Sequence, residues 1–323
     1  MKLPRRKFLH LAAGAAALPV LPRVAAALDY PTRPVRIIVG FAAGTNADIV
    51  TRLFAQALSE RLGQQFIVDN RSGAASTIGT EIVARAPADG YTLLAVTSTN
   101  AVNATFYDNL NYDFVRDIAP VAGTARLPSV IALTPSFPTR TVPEFIAYAK
   151  ANPGKITMAS SGTGSTAHLM GVLLKAMAGV DLLHVPYRGS YFPDLLSGQV
   201  QTVFVPIGAV IEFIRGGKLR ALAVTGNTRS DALPDIPTVG EFVPGYEAFA
   251  WDGIGAPKGT PPDIIDKLNR SVAISLADPT MNVRLADLGT DPMPMTPSEF
   301  GKFIAEETEK WAKVIRAANI KPE

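Results

Sequence analysis

The chain has 323 residues, 47% hydrophobic and 18% charged, with 26 glycines and 26 prolines; this excludes a disordered chain and suits two domains. The absence of cysteine excludes disulfides, zinc–thiolate sites, iron–sulfur clusters, thiol nucleophiles and a lipid-bearing anchor. The formal charge of +3 comes from residues 1–27, which hold Lys2, Arg5, Arg6, Lys7 and Arg23 and no acid; the remainder carries 26 bases against 28 acids, so no nucleic-acid partner is expected.

Residues 1–27 read as an export signal. Arg5-Arg6-Lys7-Phe8-Leu9 resembles the twin-arginine pattern. The apolar run from Phe8 to Leu21 is too short to span a bilayer, and it ends before Ala25-Ala26-Ala27, which suits cleavage. The expectation is a periplasmic mature chain from about Leu28, with no membrane insertion.

The body alternates strand and helix signals. Val35–Gly40 is a β-branched run that reads as a buried parallel strand. Ile49, Val50, Leu53, Phe54, Ala57, Leu58 and Leu62 follow at helical spacing, and Gly63 stops that helix. Phe66–Asp69 predicts a short strand, Ile78–Ala86 a helix ending before Pro87, and Tyr91–Thr97 a third strand. Val130–Thr134 predicts another. Thr141 and Glu144 form a capping box opening a helix through Lys150. Ile156–Ser160, Leu182–Pro186, Val200–Val205 and Leu219–Val224 predict further strands with helices between most of them. Thr296 and Glu299 form a second capping box before a long helix carrying Phe300, Phe303, Ile304, Trp311, Val314 and Ile315. Alternating strands and helices predict an α/β protein with mixed, mostly parallel sheets flanked by helices, and two such series predict two lobes.

Two stretches share one design. Gly40–Asp48 (GFAAGTNAD) and Ser160–His168 (SSGTGSTAH) each join a strand to a helix. Small residues let a ligand approach the backbone, and a helix start supplies unpaired N–H groups and partial positive charge. Either loop is also compatible with an ordinary turn. Together, facing one another, they would make an anion site without lysine or arginine. Gly162-Thr163-Gly164-Ser165-Thr166-Ala167 also matches the dinucleotide pattern G-x-G-x-x-A, but Asp181 precedes the next strand instead of ending it, so no nucleotide cofactor is expected.

Catalytic groups are scarce. After the leader the histidines are His168 and His184, and neither G-x-S-x-G nor H-E-x-x-H occurs, so neither an enzyme nor a metal site is expected. His168 falls in the first turn of its helix, where it caps the helix, packs, or donates to a ligand. Thr97, Ser98 and Asn100 follow the third strand and offer neutral donors or plain capping. Arg188, after Tyr187, could pair with a ligand carboxylate or stay solvated, and Trp251 could wall a pocket or fill the core. Asp48 is expected to serve its helix start as a structural capping residue.

The chain resembles the Bug, or TctC-like, substrate-binding proteins of tripartite tricarboxylate transporters. The carriers of the resemblance are the export signal, Tyr30-Pro31-x-Arg33-Pro34-Val35, Ser160-Ser161-Gly162-x-Gly164-Ser165 with His168, and His184-Val185-Pro186-Tyr187-Arg188-Gly189. Asp194-Leu195-Leu196-x-Gly198-Gln199-Val200, Pro237-Thr238-Val239-x-Glu241 and Ala256-Pro257-x-Gly259-Thr260-Pro261 continue it in order. The resemblance implies a two-lobed periplasmic binding protein of type II, a Venus flytrap. Lobe 1 would hold residues 28–126 and 230–323, and lobe 2 residues 127–229. It implies a small organic carboxylate held between the loops, and a membrane permease as partner. By position it points to Phe41, Gly44, Thr45, Asn46 and Asp48 on one side, and to Ser161, Gly162, Thr163, Gly164, Ser165 and His168 on the other.

The chain departs from the family pattern twice. The first loop, usually F-x-P-G-G-x-x-D, reads Phe41-Ala42-Ala43-Gly44-Thr45-Asn46-Ala47-Asp48, and the stretch after Gly189 is shorter and carries Tyr191 and Phe192. These departures imply an altered ligand range, with an apolar or aromatic part on the ligand. The alternatives are a ligand-sensing subunit for a membrane signalling partner, and an enzyme using His168 as a base.

Overall fold

The computed structural model describes residues 29–187 and 190–321. The expected export signal and Arg188 therefore lie outside the described residues. The first run of elements is β1 (Val35–Val39), α1 (Asn46–Leu62), β2 (Phe66–Asn70), α2 (Thr77–Ala84), β3 (Thr92–Thr97), α3 (Ser98–Phe106), α4 (Phe114–Asp117) and β4 (Ile118–Leu127). The second is β5 (Ser129–Leu133), α5 (Val142–Ala151), β6 (Ile156–Ser160), α6 (Thr166–Ala178), β7 (Leu182–Pro186), α7 (Phe192–Ser197), β8 (Thr202–Pro206), α8 (Ile207–Arg215) and β9 (Arg220–Val224). The chain returns through β10 (Ala250–Pro257), α9 (Pro262–Leu276), α10 (Pro279–Asp287), β11 (Asp291–Pro292) and α11 (Pro297–Ala317).

These strands form two sheets, ordered β11-β4-β10-β3-β1-β2 and β7-β6-β8-β5-β9. The chain changes sheet at Pro128, between β4 and β5, and again between β9 and β10. Strand β1 is parallel to β2 and β3, and β6 is parallel to β7 and β8. Strands β4, β5, β9, β10 and β11 pair antiparallel. Both sheets are thus mixed, and the parallel character expected from the β-α alternation holds only around β1 and β6. Apart from β11, the strands named as antiparallel are those that lead toward or away from the changes of sheet.

Parallel pairing positions the loops. Val39 lies opposite Ala95, so the C-terminal ends of β1 and β3 leave the first sheet side by side. Ser160 lies opposite Pro186, so β6 and β7 do the same in the second. Both capping boxes form, at Thr141 with Glu144 and at Thr296 with Glu299, which fixes where α5 and α11 begin.

Alternation along the strands separates the cores. Ile37, Val39, Leu93, Ala95 and Ile254 face α1 and α9 in one cluster, with Phe54, Leu58 and Leu268. Ile38, Leu94, Val96 and Trp251 face the other way, into a cluster continuous with Phe145, Leu169 and Phe204 of the second half. Burying each large apolar side chain contributes about 1.5–3 kcal/mol, so this shared cluster ties the halves together on one side.

Strands β4 and β10 carry no run of β-branched residues and were not expected as strands. Gly253 and Gly255 in β10 are the reason they pack. A Cβ at Gly253 would collide with the Phe300 ring, and one at Gly255 would lie 2.6 Å from Ile118. The register with β4 slips at Asp252/Gly253 and at Ile254/Gly255, as expected where glycine interrupts a ladder.

Candidate ligand-binding cleft

The β1–α1 loop leaves the sheet at Gly40. Phe41 turns partly into the α1-side core, while Ala42, Ala43, Gly44 and Thr45 are exposed. Gly44 adopts φ 82°, and no atom lies within 4 Å of where its Cβ would be. Asp48 holds this turn. Its carboxylate accepts from the Gly44 amide at 2.8 Å, from Arg52 Nε at 3.0 Å and from Asn70 Nδ2 at 2.9 Å. Burial pushes the carboxyl upward, but the bonds from Arg52, Gly44 and Asn70 outweigh it and hold Asp48 below the usual carboxylate range. The capping expectation for Asp48 is corrected in detail: the N-cap position belongs to Thr45. Thr45 Oγ1 donates back to the Ala42 carbonyl, so no side chain caps α1. The first turn of α1 therefore keeps its N–H groups for another acceptor.

The β6–α6 loop is built differently. Ser160 Oγ accepts from the Gly162 amide and donates to the Gly162 carbonyl, closing a tight turn. Gly162 has φ 118° and open space where a Cβ would stand, whereas a Cβ at Gly164 would lie 2.6 Å from the Phe106 ring of α3. Ser161 is exposed, Thr163 is half-buried, and Ser165 caps α6 by accepting from the His168 amide. His168 Nδ1 accepts from the Gly164 amide at 3.1 Å. Its ring stacks on His184 with centroids 3.8 Å apart, and His184 Nε2 lies 2.7 Å from Ser160 Oγ. Burial, then the nearby His184 and Lys175, push His168 down to about 3. It is a neutral imidazole with Nδ1 already engaged, so it shapes the loop and is not placed as a free general base.

The two halves meet beside these loops. Ser98 Oγ at the start of α3 and Thr166 Oγ1 at the start of α6 are 3.4 Å apart, and Phe106 covers Gly164. The starts of α3 and α6 are thus in contact, and the end of β1 lies next to that of β3. Thr97 and Asn100 do not supply free donors there. They form a reciprocal cap for α3, and the buried Asn100 amide donates to Thr80 Oγ1 at 2.8 Å.

Three other sequence candidates are Trp251, Tyr191 and Tyr187, of which Tyr187 lies beside the second loop, its amide donating to the Ser160 carbonyl at 2.9 Å. Trp251 is fully buried, edge-on to Phe300 and Phe303, with its indole donating to the buried Glu307. The pocket-wall expectation is corrected: β10 pairing turns Trp251 into the shared core. Tyr191 and Phe192 pack on one another, and Phe192 stacks on Phe213 within the second half. Tyr187 donates to Asp194 at 2.6 Å, fixing the start of that stretch.

Sequence reasoning missed two features. Ala74, Ala75 and Ser76 all take positive φ, between 43° and 77°. They sit after β2, with the Ala75 carbonyl held by Asn103, and Ser76 fits only because residue 40 is glycine. The run Ser72-Gly73-Ala74-Ala75-Ser76 signals a turn, but nothing in it announces left-handed alanines. The second is Asp252, buried in β10 opposite Thr97. A single acid inside a glycine-containing strand gives no periodic signal.

No helix among the described residues is long and apolar enough to cross a membrane, and no cluster of three or more potential metal ligands occurs among them. The family model for the tripartite tricarboxylate transporter family receptor matches residues 50–320. Similar solved structures include the R. palustris protein Rpa4515 with adipate, 38% identical, TM-score 0.80, covering 91% of this chain and 100% of that one. The periplasmic binding protein BugD is 35% identical, TM-score 0.76, covering 91% and 100%. MatC (Rpa3494) from Rhodopseudomonas palustris, with bound malate, is 31% identical, TM-score 0.75, covering 88% and 100%. The fold is therefore that of a two-lobed periplasmic binding protein, and the chain belongs to the tripartite tricarboxylate transporter receptor family, a family of solute-binding receptors and not of enzymes.

Proposed function

We propose that this protein is an exported receptor that closes two lobes on a small carboxylate and delivers it to a membrane permease of the tripartite tricarboxylate type. The observation that carries this reading is the pair of glycine turns, at Gly44 and Gly162, each open to space and each preceding a helix start, the second of which touches α3 through Ser98 and Thr166. A carboxylate there would accept N–H groups from both halves without a buried cation. Closure then follows from differential contact, because only the closed form lets one ligand touch both loops. The adipate and malate bound in Rpa4515 and MatC support the ligand class.

The lobes in this reading are residues 28–126 with 230–323, and residues 127–229, in keeping with the change of sheet at Pro128. Export by the twin-arginine route is read from Arg5-Arg6-Lys7 and places the receptor in the periplasm. Calorimetric titration of refolded protein with adipate and malate tests the binding. Heat of binding in the parent, lost in Gly162→Val while its circular dichroism shows it folded, with a melting temperature lowered by the positive φ, is expected. Equal binding by that variant removes the site. Delivery is tested by growth on the bound acid, which should require a permease of this type.

A further inference from the structure

The halves meet on two faces, and the two contacts differ in kind. On one face the shared cluster joins them through side chains, with Phe106 of α3 against Gly164. Ile131, Met158 and Phe204 point into it, while Val130, Ala159 and Val203 point to the other face of the second sheet. On that other face the apolar clusters stay separate. Leu285 and Leu288 belong with Phe54 and Leu268 of the first half, whereas Ile207 and Val210 belong with Val203 of the second. Between these clusters backbone lies against backbone. A Cβ at Gly208, in the first turn of α8, would lie 2.7 Å from the Leu288 carbonyl oxygen and 3.3 Å from Gly289 Cα. One at Gly289 would lie 2.7 Å from both Gly208 Cα and its amide nitrogen.

This contact sits beside a change of sheet. The Ile207 amide donates to the Pro128 carbonyl at 2.9 Å, and Asp291, just after Gly289, pairs with Arg126, just before Pro128. Close to such a crossover a small spacer swings the distant parts of the two halves through a larger arc. The two glycines answer different needs. Gly289 follows α10 with φ 65° and donates its amide to the Ala286 carbonyl, so the helix end itself calls for glycine. Gly208 is helical and exposed, and alanine is the better helix former there. What alanine cannot do is lie against Leu288 and Gly289, because the opposing atoms are backbone and cannot rotate away. We propose that Gly208 is a positioning residue for ligand capture: with Gly289 it forms a bare-backbone seat on which the halves close, while the shared cluster anchors them on the opposite face. This rests on the carboxylate-receptor reading and adds what sets its closed form. A side chain at residue 208 holds the halves apart and lowers the share of molecules able to grip a ligand from both sides, without altering the ligand loops.

The test is calorimetry of refolded protein with adipate and malate, comparing the parent with Gly208→Ala and Gly208→Val. The dissociation constant of whichever acid the parent binds should rise about ten-fold in Gly208→Ala, as when about a tenth of the molecules can still close, and further in Gly208→Val. The melting temperature of empty Gly208→Ala should equal or exceed the parent's, because without ligand the halves are free to part and the helix gains a better former. Small-angle X-ray scattering gives a second reading: saturating acid should shrink the parent's radius of gyration and shrink that of Gly208→Ala less. Binding by Gly208→Ala as tight as the parent's overturns the seat and leaves the receptor reading standing. So does a clear fall in the melting temperature of the empty Gly208→Ala protein, because the contact would then be a fixed part of the fold. If the parent binds neither acid, the receptor reading itself fails and the seat with it.

Discussion

The β1–α1 and β6–α6 loops have the same plan and opposite means of support. Each follows a parallel strand, carries a positive-φ glycine open to space and precedes a helix. The first is exposed and is held from below by an ionised network of Asp48, Arg52 and Asn70. The second is half-buried, held by a neutral histidine and pressed against Phe106 from the other half. The contrast teaches that backbone N–H groups can be presented to an anion in two ways. One uses a charged clamp that leaves the helix start uncapped; the other uses an uncharged brace that also forms part of the contact between halves.

The largest test of this contrast is acid. His168 has a folded pKa of about 3 against an ordinary 6.5, so the unfolded chain takes up its proton first as pH falls. Its contribution is complete above pH 6.5 and is lost as pH drops toward 3, amounting to at most ~5 kcal/mol. Asp252 works in the opposite direction. Its raised pKa means that the folded state keeps a proton the unfolded chain has lost, so stability falls as pH rises from 3.8 to about 7. Urea unfolding across this range in an Asp252→Asn background isolates His168. Between pH 6.5 and about 5, above the range in which lowered carboxylates such as Asp48 take up protons, the downward slope should flatten when His168→Asn is added; an unchanged slope there would break the assignment of the brace.

Gly164→Leu comes next. Its Cβ would meet the Phe106 ring at 2.6 Å in a left-handed backbone, at a cost of about 3 kcal/mol in a melting experiment. A near-neutral result would mean that Phe106 does not brace the loop. Asp48→Ala leaves the Gly44 amide and Arg52 without their buried acceptor and should cost about 2 kcal/mol by urea titration. A loss no larger than that of an exposed acid would remove the charged clamp. Gly44→Ala should cost only about 1 kcal/mol, from its φ alone, since no atom opposes the added methyl. A loss as large as that of Gly164→Leu would show the loops to be supported alike.

Much of this arrangement was legible in the amino-acid pattern. The strands around β1 and β6, the capping boxes at Thr141 and Thr296, and the glycine turns all depend on local chemistry. What was not legible depends on long-range pairing. Trp251 and Asp252 are adjacent in sequence, and only the pairing of β10 with β3 and β4 decides which enters the shared core and which lies under α1. Strand β4 contains Pro120 and Gly123, and β10 contains Gly253 and Gly255, so neither shows the pattern of a central strand. His168 reads equally as ligand or packing residue until its Nδ1 is found against the Gly164 amide.

The central claim is that one carboxylate draws N–H groups from both halves. Amide resonances of ¹⁵N-labelled refolded protein, followed during titration with malate, test it most directly. The account predicts that the amides of Thr45, Asn46 and Ala47 and those of Ser161 to Thr166 shift together, with a single midpoint. Shifts confined to one loop, or saturating at separate midpoints, would contradict it.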